Sequence, residues 1–246
     1  HGQRLLVTHD ITEQARLDAM RSDFVANVSH EIRTPITVIS GFAETLLSLD
    51  LDEAERRQYL DSILRQSRTM QRLVEDLLTL STLEASIDRP PDEQIDIHDM
   101  LKCLLEEARV LSAGRHEFAL KLDPPARIVG IPAELESAAR NLLTNAVRYT
   151  PEGGRISVNW GLRDGEGWVS VSDTGIGIAP DHLPRIAERF YRVDRGRSRQ
   201  TGGTGLGLAI TKRIMLRHQG SLHIASEVGK GSTFSLRLPA SRLVDD

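Results

Sequence analysis

The chain holds a single cysteine, Cys103. That excludes an internal disulfide framework and any zinc cluster built on several thiolates. Cys103 lies in an amphipathic stretch, where a lone thiol packs as a small apolar group, and this usage fits a reducing compartment. An excess of positive charge is also missing. The net charge is -4 over 246 residues, which is not the footprint of a nucleic-acid binder. No apolar run approaches the ~20 residues that cross a bilayer, and the opening residues lack the pattern of a secretory leader. Two familiar nucleotide fingerprints are absent as well. No three glycines stand at offsets 0, 2 and 5, and no glycine-rich loop ends in Gly-Lys-Ser/Thr.

What is present divides into two textures. From Thr12 to Ser48 the pattern is helical. Phe24, Val28, Ile32, Pro35, Ile39, Phe42, Leu46 and Leu49 step by 4, 4, 3, 4, 3, 4 and 3, a heptad seam. "DLDEAE" reads as a turn, and a second helix is expected over 53–85 with Leu60, Ile63, Met70, Leu73, Leu77 and Leu80 on one side. Two long helices joined by a short loop pack antiparallel. One hairpin buries one stripe, so a four-helix bundle in a homodimer would complete the core; a coiled coil that merely joins two chains explains the seam equally well. "SIDRPPDEQ" is a linker. Beyond it, short strands near 94–97, 117–121, 127–129, 155–173, 221–226 and 232–238 alternate with helices near 98–113, 133–149 and 206–218, the order of an α/β sandwich. "ASRLVDD" is expected to fray. The opening "GQRLLVTHDIT" reads as the end of a strand, so a longer protein with membrane spans elsewhere is expected.

His30 lies two residues from both Val28 and Ile32. At ~100° per residue it points away from the seam, toward solvent. Thr34 stands at i+4 on the same face. Glu31 is adjacent; a carboxylate accepting from Nδ1–H would fix the tautomer and leave Nε2 with a free lone pair, an activated nitrogen nucleophile. Pro35 removes one helix hydrogen bond and crowds the Glu31 carbonyl. It either loosens the turn carrying the histidine or simply sets the curvature of a bundle helix.

Further along, Asn141 and Asn145 share a helix face, with Arg148 near it. Amide oxygens suit a magnesium ion that already carries phosphate oxygens, and a guanidinium binds phosphate; a plain polar helix face is the competing reading. Asp173 closes a strand before Gly175 and Gly177, where a carboxylate could accept from an exocyclic amine and glycines admit a flat ligand; a tight turn would look the same. Gly202, Gly203, Gly205 and Gly207 precede an apolar helix, a junction whose N–H groups bind phosphate. Between the glycine clusters, six arginines from Arg185 to Arg199 face only Glu188 and Asp194. That reads as a mobile lid anchored by Phe190 and Tyr191, or as a solvated charged loop.

Taken in order, "SHEIRTP", "NLLTNAVRYTPEGG", "DTGIGI", "ERFYRVD" and "GGTGLGLAI" closely resemble the H, N, G1, F and G2 boxes of bacterial sensor histidine kinases. The wording of "FVANVSHEIRTP" and "RFYRVD" is similar to the phosphate-regulon sensor subgroup, and "LLVTHDITEQARLDAM" looks like the last strand of a PAS sensor domain with its helical exit. The resemblance implies an α+β fold: a helical hairpin, then an ATP-binding sandwich of the gyrase, Hsp90 and histidine-kinase type. It implies residues 1–11 as the end of a sensor domain, 12–88 as the dimerisation and phosphotransfer hairpin, and 89–246 as the ATP-binding domain.

By the same resemblance His30 is the phosphoacceptor through Nε2, Glu31 its base or orienting partner, and Thr34 the residue that positions water in a phosphatase reaction. Asn145 with Asn141 would hold Mg²⁺. Arg148 stands where many members have lysine. Tyr149 and Thr233 would line the adenine pocket, Asp173 would accept from the adenine amine, and Gly175 and Gly177 would lie beneath the nucleotide. Gly203, Gly205 and Gly207 would hinge the lid and offer amides to phosphate, with Arg192, Thr204 and Leu206 completing the set. The implied cofactors are ATP and Mg²⁺. The implied partners are a second copy of the chain and the receiver domain of a response regulator, with no nucleic acid and no membrane contacted by this segment. The implied location is the cytoplasmic portion of a bacterial inner-membrane sensor. An ATPase or chaperone of the same fold without a phosphohistidine, and a purely structural dimerisation module, are the rival readings.

Overall fold

Capping chemistry sets where the second helix begins. In the computed structural model, which describes the backbone of residues 12–85, 90–193 and 203–244 and the side chains from Phe24 onward, Asp52 Oδ1 accepts from the Glu55 N–H at 2.8 Å and Glu55 Oε2 accepts from the Asp52 N–H at 3.2 Å. This reciprocal box satisfies two donors that a helix start leaves orphaned. It separates α1 (Thr12–Ser48) from α2 (Glu53–Ala85). The expected strand over 3–8, the sensor-domain end over 1–11, residues 86–89 of the linker and residues 194–202 of the basic loop lie outside the described residues.

The chain forms two compact units, residues 1–72 and 73–246. In the first, Phe24, Val28, Ile32, Ile39, Phe42 and Leu46 of the α1 seam are half-buried and Pro35 is buried. Phe42 meets Tyr59 with ring centroids 5.3 Å apart, an aromatic contact that fixes the antiparallel pairing of α1 and α2 near their turn. Two seam positions depart from expectation. Leu49 falls beyond the end of α1 and is exposed, and Leu60 is 52% exposed.

The second unit begins at Leu73, within α2. A five-stranded sheet runs in the order β2 (Glu117–Leu122), β4 (Arg155–Arg163), β5 (Glu166–Asp173), β7 (Gly231–Leu238), β6 (Ser221–Glu227). Only the β2–β4 pair is parallel. Strand alternation puts Ile156, Val158, Trp160, Val169, Val171, Phe234 and Leu236 on one buried face. Against it lie α3 (Ile97–Ser112), α4 (Pro132–Tyr149) and α5 (Gly207–Arg217), with α4 between the other two; Cys103 of α3 is exposed on the solvent side of that helix, not packed as expected. β1 (Glu93–Asp96) and β3 (Arg127–Gly130) form a second, small sheet with β8 (Leu243–Val244).

That last strand corrects the expected frayed tail. Leu243 and Val244 pair with Ile128 and Arg127. Arg242 is buried, and its Nη1 lies 2.5 Å from Asp92 Oδ2. A charged, unpatterned tail gives no such sign in sequence. What orders it is one ion pair, buried on its arginine side, plus backbone pairing to β3, the middle strand of the small sheet.

α4 carries both expected metal ligands, Asn141 and Asn145, and its start is fixed from across the fold. Ile131, the residue before α4, has no side-chain cap of its own. Its N–H donates to His218 Nε2 at 3.0 Å, while His218 Nδ1 donates to the Ile214 carbonyl at 2.9 Å. The fully buried imidazole is therefore neutral, with its proton on Nδ1. It ties the end of α5 to the beginning of α4. Replacing His218→Leu orphans the Ile131 N–H, while the Ile214 carbonyl keeps the backbone N–H of residue 218 at 3.1 Å, so urea unfolding should show a loss of about 1–3 kcal/mol; a change within ~0.5 kcal/mol, the range of neutral surface substitutions, would contradict the capping role.

Candidate functional site

On the first unit, His30 is exposed between half-buried Val28 and Ile32, as the ~100° helical step requires. Exposed Ser29, Arg33 and Thr34 surround it. Thr34 Oγ1 donates to the His30 carbonyl at 3.2 Å, placing its hydroxyl one turn on, along the same face. Glu31 is half-buried and engaged in a contact of its own. Pro35 turns its ring into the core of the hairpin. Having no N–H, it leaves the Glu31 carbonyl without its usual donor. Ser29, Thr37 and Thr45 also bond back to carbonyls four residues earlier, a pattern that bends helices. The histidine therefore sits on a turn whose backbone ladder is already interrupted.

In the second unit the site is built where the end of α4, the end of β5, the start of β7 and the start of α5 converge. Asp173 is buried at the end of β5 and accepts from the Gly175 N–H at 2.8 Å. Burial pushes its pKa above the ordinary carboxylate range, opposed by backbone N–H bonds from Gly175 and Ser232. Gly175 admits no side chain: a Cβ would stand 2.5 Å from the Tyr149 carbonyl oxygen and 2.6 Å from Asp173 Oδ1. Gly177 has φ +68°, and a Cβ there would meet the Glu227 carbonyl oxygen at 2.1 Å. The two glycines therefore let backbone from α4, β5 and the β6–β7 turn close to a shallow cradle. The Ile176 N–H donates to the Tyr149 carbonyl at 3.2 Å, tying the cradle to α4, and the Tyr149 side chain stays exposed at its rim.

About two turns back on α4, Asn141 Nδ2 donates to the Gly207 carbonyl at 3.2 Å. This fixes the amide against the first residue of α5 and leaves Oδ1 as its acceptor. Asn145, half-buried on the same face, makes no side-chain hydrogen bond among the described residues, so both ends of its amide are available to a ligand. The Arg148 guanidinium lies against Gly203. The Phe190 N–H donates to the Gly205 carbonyl at 2.9 Å, and Arg192 packs beside Gly205. Leu206 is fully buried, and its N–H meets Thr204 Oγ1 at 3.3 Å. Asn141, Arg148, Arg192, Gly203, Thr204, Gly205, Leu206 and Gly207 thus gather around the positive end of α5, while Tyr149, Asp173, Gly175 and Gly177 form the neighbouring cradle.

Thr233 departs from this assembly. In register, Ser232 opposes Asp173, and Thr233 opposes Ser172. The pleat therefore turns Thr233 to the opposite face of the sheet, where its hydroxyl bonds Ser172 Oγ at 2.8 Å. The residue on the Asp173 face is Ser232, buried and bonded to Ser226 Oγ at 2.9 Å. Ser226 Oγ also accepts from the Ile178 N–H at 2.8 Å. Reading "GKGSTF" by motif alone misses this pair; counting the strand alternation back from buried Phe234 finds it.

Chemically, the cradle offers one buried acceptor to a flat donor, and the α5 end offers backbone N–H groups and a guanidinium to an anion. The bare Asn145 amide and Asn141 Oδ1 lie between them along α4, a donor set that fits a hard cation bridging to that anion.

Two family models match the chain. The His Kinase A (phospho-acceptor) domain covers residues 20–86, and the histidine kinase-, DNA gyrase B- and HSP90-like ATPase covers residues 130–242. The phosphate regulon sensor protein PhoR of Pseudomonas aeruginosa is 45% identical over 247 residues, covering 99% of this chain and 55% of that protein. The sensor-like histidine kinase SenX3 of Mycolicibacterium smegmatis is 38% identical over 232 residues, covering 94% of this chain and 60% of that one. The chain thus spans little more than half the length of these curated relatives. Among solved structures, the Acinetobacter baumannii histidine kinase AdeS matches with a TM-score of 0.69 at 25% identity, covering 87% of this chain and 98% of that one. The order of the two domains, the relatives and the fold agree: the chain belongs to the sensor histidine kinases.

Proposed function

We propose that the chain is the catalytic core of a two-component sensor kinase, which phosphorylates His30 from ATP and passes the phosphoryl group to an aspartate of a response regulator. The observation that carries this reading is the presence on one chain of a solvent-facing imidazole and a cradle with a buried carboxylate beside a helix N-terminus. Asp173 accepts from the adenine amine, Ser232 backs it, and Tyr149, Gly175 and Gly177 shape the pocket. Arg148, Arg192 and the N–H groups at the start of α5 hold the phosphates. Asn145 and Asn141 would hold Mg²⁺, which supplies charge neutralisation along the phosphate chain.

The transfer itself is an in-line displacement. The Nε2 lone pair of His30 attacks the γ-phosphorus, an N–P bond forms, the bond from that phosphorus to the β–γ bridging oxygen breaks, and ADP leaves. Glu31 fixes the reactive tautomer and takes the imidazole proton. The protein's share is positional and electrostatic. Thr34, on the same face, positions water for the reverse duty, removal of phosphate from the regulator. Similarity to a phosphate regulon sensor supports phosphate-starvation signalling as the pathway.

The proposal includes the domain limits 12–88 and 89–246, and a homodimer. Leu60 and Leu64 of α2, in the first unit, are exposed at i, i+4 spacing, an apolar pair that a second copy would cover. No helix among the described residues is long and apolar enough to cross a membrane; the reading as the cytoplasmic portion of an inner-membrane sensor rests on the family. An ATPase without a phosphohistidine needs neither the His-Glu-x-x-Thr-Pro turn nor the seam beside it.

Incubation with magnesium and γ-labelled ATP should give a base-stable, acid-labile label that is lost in His30→Gln; a label that survives the substitution would sink the reading. Asp173→Asn should weaken ATP binding by about 10- to 100-fold, because a charged acceptor is replaced by a weaker one. The same variant should raise the melting temperature of the nucleotide-free chain at neutral pH. The sign follows from burial: a carboxylate with a raised folded pKa contributes stability below its unfolded value of about 4 and loses it as pH rises through the folded value. The neutral amide escapes that loss, so its advantage should vanish in acid. Equal melting temperatures at pH 7 would show that Asp173 carries no desolvation strain.

A further inference from the structure

The last turns of α2 belong to the second compact unit, and they grip the phosphate end of the site. Thr204 Oγ1 donates to Asp76 Oδ2 at 2.6 Å, a short charge-assisted bond, and both residues are half-buried. The same hydroxyl oxygen meets the Leu206 N–H at 3.3 Å. A chain of donors therefore runs from the backbone at the α5 N-terminus, through one hydroxyl, to a carboxylate. Two further ties hold this part of α2 in place. Glu84 pairs with Arg189, and the Leu83 carbonyl accepts from Arg213 and Arg217 at 3.4 and 3.2 Å. Leu73, Leu80 and Leu83 are buried.

We propose that Asp76 is an internal stand-in for a nucleotide phosphate: its carboxylate satisfies, through Thr204, the anion-seeking end of α5, so that ATP must displace it to bind. The proposal rests on the nucleotide reading of this site and adds a competitor to it. The physical grounds are charge and donor count. The first N–H groups of α5 have no intrahelical acceptor and sit at the positive end of its dipole, so they favour an anion. A triphosphate reaching them would take the Leu206 N–H and the Thr204 hydroxyl, and would bring its own negative oxygens toward a carboxylate that is 2.6 Å from that hydroxyl. Both anions cannot hold the Thr204 proton. Binding energy from the phosphates is therefore spent on releasing α2 at Asp76, and apparent affinity falls by the fraction of molecules in which the latch is open. The device couples ATP occupancy to the freedom of the helix that leads from the phosphotransfer hairpin.

The test uses the whole chain and calorimetric titration with Mg·ATP and with adenosine, in wild type, Asp76→Asn, Asp76→Ala and Thr204→Val/Asp76→Asn. Asp76→Asn and Asp76→Ala should bind ATP about 3- to 10-fold more tightly and adenosine as wild type does, because adenosine has no phosphate to compete. Measured against a Thr204→Val single variant titrated alongside, the Asp76→Asn gain should disappear in the double variant, since the latch acts through that hydroxyl. ATP affinity unchanged or lowered in both single variants overturns the latch and leaves the nucleotide site standing. A gain that persists undiminished without the Thr204 hydroxyl overturns it in favour of general charge repulsion. A wild-type chain that binds neither ATP nor adenosine overturns the functional reading and the latch with it.

Discussion

A carboxylate held out of water with no cation beside it among the described residues is the constraint on which the site depends. Asp173 ends a central strand of the sheet, with backbone N–H groups of Gly175 and Ser232 as its support. Burying such a charge is costly, and the chain meets that cost with structure. A glycine is required where Asp173 and α4 approach, and a second where the β6–β7 turn closes over. Ser226 and Ser232 bond one another and the neighbouring backbone. Strain of this kind is kept at functional sites because a partly satisfied acceptor is what a ligand donor completes.

The rest of the second unit holds that acceptor at a fixed offset from the anion-binding end of α5. α4 is the ruler. His218 pins its start, the Asn141 amide pins its middle to Gly207, and the Tyr149 carbonyl pins its end to the cradle. Asn145 is left bare in the middle of an otherwise committed face. The hairpin unit is different in kind. Its function needs exposure, so its histidine sits outside the seam, on a turn whose hydrogen-bond ladder Pro35 and the back-bonding hydroxyls have loosened.

Much of this was legible in the residues. The heptad steps marked α1 and its outward histidine, because helical periodicity and burial are one signal. The glycine clusters marked the cradle and the start of α5, because backbone that must pass close to something cannot carry a side chain. Thr233 was misplaced because a motif fixes position in sequence but not the side of a pleat. The ordered tail and the capping by His218 were invisible because both depend on contacts between residues more than 80 positions apart. Asp76 was unreadable for a related reason: in sequence it is one acidic residue on a helix rich in charge, and only its 2.6 Å approach to Thr204 distinguishes it.

The account stands on Asp173 as the acceptor for an exocyclic amine, and nucleotide choice tests that directly. Competitive titration of the intact chain with ATP and inosine triphosphate, which carries a carbonyl where adenine has its amine, should show the inosine nucleotide bound about 10- to 100-fold more weakly. Equal affinities for the two would contradict the account.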